Sequence, residues 1–243
     1  GGRCNDIAQE IAARGPGMQA PAPGVETDFL SGDPFARMDP RDDAQFYAAP
    51  RLVHHLDATC RARITDLYAR FLRPGIRVLD LMSSWVSHLP DDSADLHVTG
   101  LGMNAEELAA NTRLSERVLR DLNRETKLPF ADAGFDAVFC TASVEYLIRP
   151  LEVFAEIARV LKPGGAFVVT FSERWFPPKA IEVWSELHPF ERMGLVMQYF
   201  QRTAGFTELC TESLRGLPRP EDDKYAGQML ESDPVYAVWG LRA

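Results

Sequence analysis

Residues 150–171 hold the pattern that most constrains the fold of this chain. Over residues 150–161, apolar side chains recur at helical spacing opposite charged ones, which is typical of a helix that covers a core. A Lys-Pro-Gly-Gly segment at 162–165 then ends the helix, and residues 166–171 are almost wholly apolar. Such a run is typical of a strand covered on both faces. The segment therefore predicts a parallel sheet with helices packed on it.

The rest of the chain repeats this alternation of helices and strands. Further helices are predicted over residues 56–71, 104–110, 178–187 and 190–203. Further strands are predicted over residues 76–81, 96–101, 116–122, 135–141, 206–214 and 235–242. The order predicts an α/β fold with a doubly wound, mostly parallel sheet, in which ligands bind at the carboxyl ends of the strands.

Composition indicates one globular domain with a small-molecule partner. The 243 residues suffice for one α/β core, with hydrophobic residues at 46% and charged residues at 25%. The formal net charge of −9 disfavours nucleic acid, because nucleic-acid binding depends on clustered Lys and Arg. No apolar run is long enough to span a bilayer, so we expect no membrane partner. Residues 1–45, rich in Pro and Gly, are predicted to form an extended arm before a domain at 46–243.

The cysteines and histidines do not have metal-ligand spacing. Cys4, Cys60, Cys140 and Cys210 are widely spaced and form no C-x-x-C pair. The His54-His55 pair has no carboxylate or cysteine partner at metal spacing, so we expect no metal site. Free thiols and the lack of a signal-peptide pattern lead us to expect a cytoplasmic protein.

Two motifs in the second half of the chain resemble a known family. Residues 128–138 read L-P-F-A-D-A-G-F-D-A-V, and residues 159–165 read R-V-L-K-P-G-G. Their spacing, and the later Ala-Gly-Phe turn at 204–206, are similar to class I S-adenosylmethionine-dependent methyltransferases of the type 11 form. The resemblance covers roughly residues 46–242. It implies seven strands with the last one antiparallel, S-adenosylmethionine as cofactor, and methyl transfer as the activity.

The first cofactor motif departs from the family pattern. In place of L-D-L-G-x-G-x-G, residues 79–86 read L-D-L-M-S-S-W-V, so that every glycine is replaced. Those glycines normally let the backbone turn tightly beside the cofactor. The resemblance implies that Asp80, Met82, Ser83 and Ser84 contact the cofactor. We expect the two serines to cap a short helix and to meet the methionyl carboxylate.

The second cofactor motif lacks the acid that usually holds the ribose hydroxyls. Gly102 stands at that position, followed by Met103 and Asn104. One interpretation is that Gly102 leaves backbone open to a ligand and that Asn104 replaces the acid with a weaker ribose contact. The alternative is that the serines and Asn104 only cap helices, and that the cofactor pocket is gone. Asn104 and Glu107 also have the spacing of a capping box.

The resemblance places further residues at the ends of the third and fourth strands. It implies that Asp121 and Leu122 contact adenine, and that Thr141 lies beneath the methyl group. Tyr146 is predicted to line the methyl-transfer channel, and Glu145 to take a proton if burial raises its pKa. The alternative for this pair is a packed ring and a carboxylate at a helix start.

Aromatic residues and one histidine are the candidates for the acceptor side. We expect Tyr47, Trp85, His88 and Trp175 to face the substrate. The aromatic-rich stretch at 175–204 is predicted to form a helical lid over a small, flat or apolar acceptor. The leading hypothesis is an enzyme that transfers a methyl group from S-adenosylmethionine to a small molecule. The alternative is an inactive methyltransferase-like scaffold or partner subunit, motivated by the missing glycines and acid.

Overall fold

A computed structural model describes residues 18–19, 28–92 and 95–243 of the chain. Helices and strands alternate, as predicted. The helices are α1 (Asp43–Phe46), α2 (Ala58–Ala69), α3 (Ala105–Ala110), α4 (Pro150–Val160), α5 (Glu182–Glu186) and α6 (Pro189–Arg202). The strands are β1 (Met18–Gln19), β2 (Arg77–Leu81), β3 (His97–Gly102), β4 (Glu116–Leu119), β5 (Phe135–Thr141), β6 (Leu161–Phe171), β7 (Phe206–Leu214) and β8 (Val235–Arg242). A 3-10 turn spans Val144–Tyr146.

The strands form one sheet in the order β1-β7-β8-β6-β5-β2-β3-β4. Strands β4, β3, β2, β5 and β6 pair in parallel, whereas β8 runs antiparallel to both β6 and β7. This confirms the predicted seven-stranded sheet with an antiparallel last strand. The two-residue β1 adds an eighth strand beside β7.

The order of the strands sets the position of the binding crevice. From β2 the chain builds outward through β3 and β4, and then crosses back to β5 and β6 on the other side of β2. A crevice forms where this direction reverses, because the flanking connections leave on opposite faces of the sheet. The carboxyl ends of β2, β3 and β5 therefore border the expected ligand site.

Helices bury apolar side chains on both faces of the sheet. Asp57 caps α2, where its side chain accepts a hydrogen bond from Cys60 N (2.9 Å). The apolar face of α4 packs Phe154 onto Phe167 of β6. The helix ends at Val160 and β6 begins at the next residue, earlier than predicted.

Two local predictions about helix starts are wrong. Residues 82–92, the described part of the segment after β2, contain no helix, so Ser83 and Ser84 cap none. Asn104 does cap α3, since its side chain accepts hydrogen bonds from the backbone of Glu106 and Glu107. The Glu107 carboxylate does not complete a capping box; it turns towards Ser84 and the backbone of residue 51.

The predicted lid is mostly core. Trp184, Tyr199 and Phe200 are buried, and α6 packs against α4 and β8. These rings are held by long-range packing that their spacing in the sequence does not reveal. Phe176, at the start of this stretch, does line the cavity described below.

The segment before α2 covers the domain. Residues 28–45 pack on it, with Asp39 N donating to Pro178 O (2.9 Å) and Glu182 N donating to Ala36 O (2.7 Å). A division of the chain at residue 45 stays a prediction, and residues 1–17 and 20–27 of the expected arm lie outside the described residues. Among the described residues, no helix has the length and apolar character needed to cross a membrane.

Candidate cofactor and acceptor site

A cavity of about 220 Å³ lies at the carboxyl ends of β2, β3 and β5. All ten residues predicted to contact the cofactor line it: Asp80, Met82, Ser83, Ser84, Gly102, Met103, Asn104, Asp121, Leu122 and Thr141. Four predicted acceptor-side residues also line it: Tyr47, Trp85, His88 and Tyr146. Glu145 and Trp175 do not.

The backbone of the first motif turns without glycine. Met82 has a φ of 56°, a left-handed conformation that L-residues rarely adopt. Ser83 N then donates to Leu101 O (2.7 Å), which ties the loop to β3. His88 and Ala142, also in the cavity wall, have φ values of 51° and 50°. Strained residues of this kind persist where the surroundings impose them, and they concentrate at functional sites.

The two serines of this loop bind carboxylates of the protein. Ser83 Oγ donates to Asp80 Oδ2 (2.6 Å), and Ser84 Oγ donates to Glu107 Oε1 (2.5 Å). Asn111 Nδ2 donates to the carbonyl of Ser84 and to Ser87 Oγ. Each serine hydroxyl has one proton, so neither is free to donate to a methionyl carboxylate in this arrangement. The predicted contact therefore does not form from these hydroxyls as they are placed.

Asp80 is a buried carboxyl in the cavity wall. Its Oδ2 also accepts a hydrogen bond from Ser87 Oγ (2.7 Å). Burial raises the pKa of Asp80 to about 6, against the lowering effect of the hydrogen bonds from Ser83 and Ser87. The carboxyl therefore changes charge close to neutral pH.

In the second motif, the position where the family usually has an acid has no room for a side chain. A Cβ at Gly102 would collide with the carbonyl oxygen of Ser83, so the position admits no side chain. The side chain of Asn104 is engaged within the protein, because its Nδ2 donates to Tyr47 O and Ala48 O while its Oδ1 accepts two backbone N–H groups. Gly102 and Asn104 both line the cavity, and their contacts with the cofactor stay predictions.

On the side of the cavity where adenine is expected, Asp121 has a carboxylate oxygen without a hydrogen-bond partner among the described residues. Asp121 follows β4, and its Oδ1 accepts Asn123 N (2.9 Å). Its Oδ2 is buried without a hydrogen-bond partner among the described residues. Burial raises the pKa of Asp121, and Asp43 and Asp42 add to the increase. Such an oxygen can accept a hydrogen bond from an amino group, and the predicted contact of Asp121 with adenine stays a prediction.

The opposite side of the cavity is aromatic. The ring of Phe176 stacks on Tyr146 with centroids 6.0 Å apart, and lies 5.4 Å from His55. Arg51 packs its guanidinium over Phe176 at 5.0 Å and over Tyr47 at 5.7 Å. Arg51 Nη1 and Tyr47 Oη are buried and have no partner within the described part of the chain. These walls suit a flat ligand with a polar group.

Burial keeps Tyr146 and His88 in their uncharged forms. Phe176 N donates to Tyr146 Oη (2.8 Å), and burial raises the pKa of Tyr146 well above its usual range, with Glu145 adding to the shift. Burial lowers the pKa of His88 to about 4, helped by Arg61 and His54. His88 and Tyr146 are therefore neutral at pH 7.

Two predicted residues lie elsewhere. Glu145 is buried outside the cavity lining, with Oε2 unpaired among the described residues; burial raises its pKa to about 8, against the lowering effect of Arg192. The expected rise in pKa is present, but the carboxyl is not at the cavity. Trp175 packs under the guanidinium of Arg192 at 4.4 Å. Within the described residues no cluster of three or more His, Cys, Asp or Glu side chains is suited to a metal ion.

Several lining residues were not predicted from sequence. Four of them come from the segment before α2 and from α3: Arg51, His54, His55 and Glu107. Glu107 was assigned to a capping box and the histidine pair was considered only for metal binding. Nothing in their spacing indicates that the chain folds back over the strand ends.

The residues present fit S-adenosylmethionine. Met103, Leu122 and the unpaired Asp121 oxygen suit adenine, and Asp80 offers an anionic group to the cationic methionyl half. Met82 adopts the turn that a glycine usually makes, so the first motif leaves the cavity open.

The family comparison agrees with this geometry. Residues 82–169 match the model of the methyltransferase domain family. The ubiquinone/menaquinone biosynthesis C-methyltransferase UbiE of Laribacter hongkongensis is 27% identical over 171 residues, 66% of this chain and 68% of that protein. The demethylmenaquinone methyltransferase of Renibacterium salmoninarum is 36% identical over 107 residues, 43% of this chain and 45% of that protein. The chain thus spans less than half of the second relative.

Solved structures share the fold. An S-adenosylmethionine-dependent methyltransferase from Archaeoglobus fulgidus superposes with a TM-score of 0.52 at 15% identity, covering 75% of this chain and 92% of that one. Haemonchus contortus phosphoethanolamine N-methyltransferase 2, in complex with S-adenosylmethionine, superposes with a TM-score of 0.51 at 16% identity. The match covers 74% of this chain and 52% of that one. The sheet order and the cavity at the strand ends agree with the domain match, so the chain is similar to the class I S-adenosylmethionine-dependent methyltransferases.

Proposed function

We propose that the protein transfers a methyl group from S-adenosylmethionine to a small-molecule acceptor. The observation that carries the proposal is the single cavity wall shared by the cofactor residues of β2, β3 and β4 and by the aromatic residues Tyr47, Tyr146 and Phe176. A cavity bounded by Asp121 and Thr141 argues against the alternative of an inactive scaffold, which predicts a collapsed pocket. The net charge of −9 also favours a small acceptor over nucleic acid.

Positioning is the main contribution expected from the protein. Bound S-adenosylmethionine supplies an electrophilic methyl group on a sulfonium. The residues around it hold the two reactants in line and exclude water, which together account for much of the rate of such displacements. Thr141 lies at the carboxyl end of β5, and its Oγ1 is held by the hydroxyl of Tyr68 (2.5 Å). Tyr146, protonated at neutral pH, orients the acceptor through its ring and hydroxyl.

The aromatic walls support a flat, largely apolar acceptor. Tyr47, Tyr146 and Phe176 present ring faces and edges, and Arg51 adds one positive group among them. One relative named above is a ubiquinone/menaquinone biosynthesis C-methyltransferase, and this supports a carbon as the acceptor atom. A cytoplasmic location is part of the same proposal.

Cofactor binding tests the proposal directly. Ligand at one hundred times its Kd stabilises the native state by about 2.7 kcal/mol, so a thermal melt with S-adenosylmethionine should shift upward. We expect Asp121→Ala to weaken binding about tenfold or more, because a hydrogen bond to a charged group is lost. Asp132→Ala, whose carboxylate is exposed and away from the cavity, is the matched control. No shift for the native protein at millimolar ligand would contradict the proposal.

Cofactor affinity should depend on pH through Asp80. Its pKa is raised to about 6, and a cationic ligand favours the charged carboxylate, so binding releases a proton at lower pH. Affinity is therefore expected to rise with pH until the carboxyl is ionised, by up to about tenfold per pH unit. Titration calorimetry from about pH 5 to 7.5 measures this. The Asp80→Asn variant should bind the cofactor more weakly, with an affinity that does not change with pH. If the cofactor affinity of the native protein does not change with pH, Asp80 does not contact the cationic ligand.

A further inference from the structure

The cofactor site lacks an acceptor for the ribose hydroxyls at the usual place. At the end of β3, Gly102 has no side chain, and the Ser83 carbonyl fills the space where one would begin. Asn104 has used both amide protons and its oxygen within the protein. A buried diol without partners would weaken binding, since polar groups that lose water need new hydrogen bonds. An acceptor from another residue of the cavity would restore those hydrogen bonds.

Four acidic residues line the cavity, and three of them lie on elements other than β3 and the helix that follows it. Asp43 is engaged by Arg37, Lys179 and Asn123. The Asp80 carboxyl is buried under the first-motif loop, where two serines bind the same oxygen. Asp121 follows β4, on the adenine side. The fourth acidic residue is Glu107.

The Glu107 carboxylate is held rigidly at the correct edge of the cavity. The residue sits in the first turn of α3, five positions after Gly102, and its backbone N donates to Asn104 Oδ1 (3.0 Å). Its Oε1 accepts from Ser84 Oγ (2.5 Å), and its Oε2 accepts from Arg51 N (3.2 Å). A carboxylate oxygen has two lone pairs, so each oxygen can accept one more hydrogen bond. Two free acceptor positions on one planar group match a vicinal diol.

We propose that Glu107 is the ribose-binding acid of this protein and that it replaces the side chain missing at Gly102; this assignment rests on the proposed function. The altered first motif and the new position of the acid are then connected through Ser83 and Ser84. Ser83 closes the usual position with its carbonyl, while Ser84 orients the substitute through its hydroxyl. The Ser-Ser sequence thus compensates for what the missing glycines and acid would have provided.

The test compares S-adenosylhomocysteine with its 2′-deoxy analogue by titration calorimetry. The native protein should bind the deoxy analogue about tenfold or more weakly, the loss typical of a hydrogen bond to a charged group. Glu107→Gln should bind S-adenosylhomocysteine about tenfold more weakly and should discriminate less between the two ligands. Glu107→Asp, which withdraws the carboxylate by one methylene, should behave similarly and serves if the glutamine variant does not fold.

Two control variants locate the effect. Glu106→Gln, on the exposed neighbour in α3, should leave both affinities unchanged. Asp121→Ala should weaken both ligands equally and keep the discrimination. If the native protein discriminates and both Glu107 variants discriminate equally well, or if the native protein binds both ligands alike, the assignment of Glu107 is wrong. If the native protein binds neither ligand, the proposed function itself fails, and the assignment with it.

Discussion

Replacing Gly102 by alanine is expected to lower the free energy of unfolding by about 3 kcal/mol, among the largest effects of any single methyl group in this protein. The added Cβ would collide with the backbone carbonyl of Ser83 and press on Leu108. Backbone cannot rotate away as a flexible side chain would, and Ser83 N is tied to Leu101 O (2.7 Å). The loop of the first motif must therefore move as a unit. Urea unfolding, with the m-value checked, measures the loss.

The control for this substitution is Gly227→Ala. Gly227 is exposed, and a Cβ there meets no atom within 4 Å, so we expect a change of less than about 0.5 kcal/mol. Gly102→Asp, which restores the family's acid, should be at least as destabilised as the alanine variant and should not bind the cofactor more tightly. A stable aspartate variant with improved affinity would show that the Ser83 loop yields easily and that the site has not been rebuilt around Glu107.

Asp43→Ala is expected to destabilise the protein by about 3–5 kcal/mol, the cost of breaking a buried ion pair by removing one partner. Its Oδ1 lies 2.9 Å from Lys179 Nζ and 2.5 Å from Arg37 Nη1, and Asn123 Nδ2 donates to Oδ2 (2.9 Å). Lys179 is only 1% exposed, so its charge would be left without its strongest partner. Thermal and urea unfolding of the variant measure the effect.

The stability that Asp43 contributes should also depend on pH. Burial acts to raise the pKa of Asp43, but hydrogen bonds from Asn123, Lys179 and Arg37 outweigh it and lower the pKa overall. The folded state then holds its proton less tightly than the unfolded state. The contribution is therefore present above the unfolded pKa, near 3.8, and is lost as pH falls through the lower folded value. The difference in stability between the native protein and the variant should shrink in acid.

A surface pair provides the comparison for Asp43. Asp66 and Arg63 form an exposed ion pair, with side chains 66% and 47% exposed, and Asp66→Ala should cost less than about 0.5 kcal/mol. The double variant Asp43→Ala with Lys179→Met should recover part of the loss, because the buried charge is removed with its partner. If Asp43→Ala is as stable as Asp66→Ala, the contacts of Asp43 do not hold the covering segment in place.

Several elements could be predicted because burial repeats along them. Strands β7 and β8 have the predicted bounds, and α2 and α4 lie within a residue or two of them. In such elements each turn or pleat places apolar side chains on the same face, so the period in the sequence records the local structure. The ten residues that the resemblance assigned to the cofactor all line one cavity for a related reason. They stand at strand ends, and parallel strands bring their carboxyl ends to one edge.

Where the predictions about helix starts were wrong, side-chain hydrogen bonds of the loop after β2 were responsible. The helix expected after β2 is absent because Ser83, Ser84 and Ser87 bind Asp80, Glu107 and Asn111 instead of backbone N–H groups. Arg51 N and Glu107 are 56 positions apart. Such contacts have no period and no local signature, so the sequence alone did not place them.

The sequence by itself determined the order of strands and helices, the edge of the sheet that binds the ligand, and the loss of the usual glycines and acid. Tertiary structure alone decided whether a cavity survives that loss. It also decided that residues between 43 and 56 line the cavity, that α6 is core, and that Glu107 and Gly102 share the cavity wall. The physical reason is that side-chain periodicity reports which face of an element is buried, whereas the partner of a loop residue depends on how the whole chain packs.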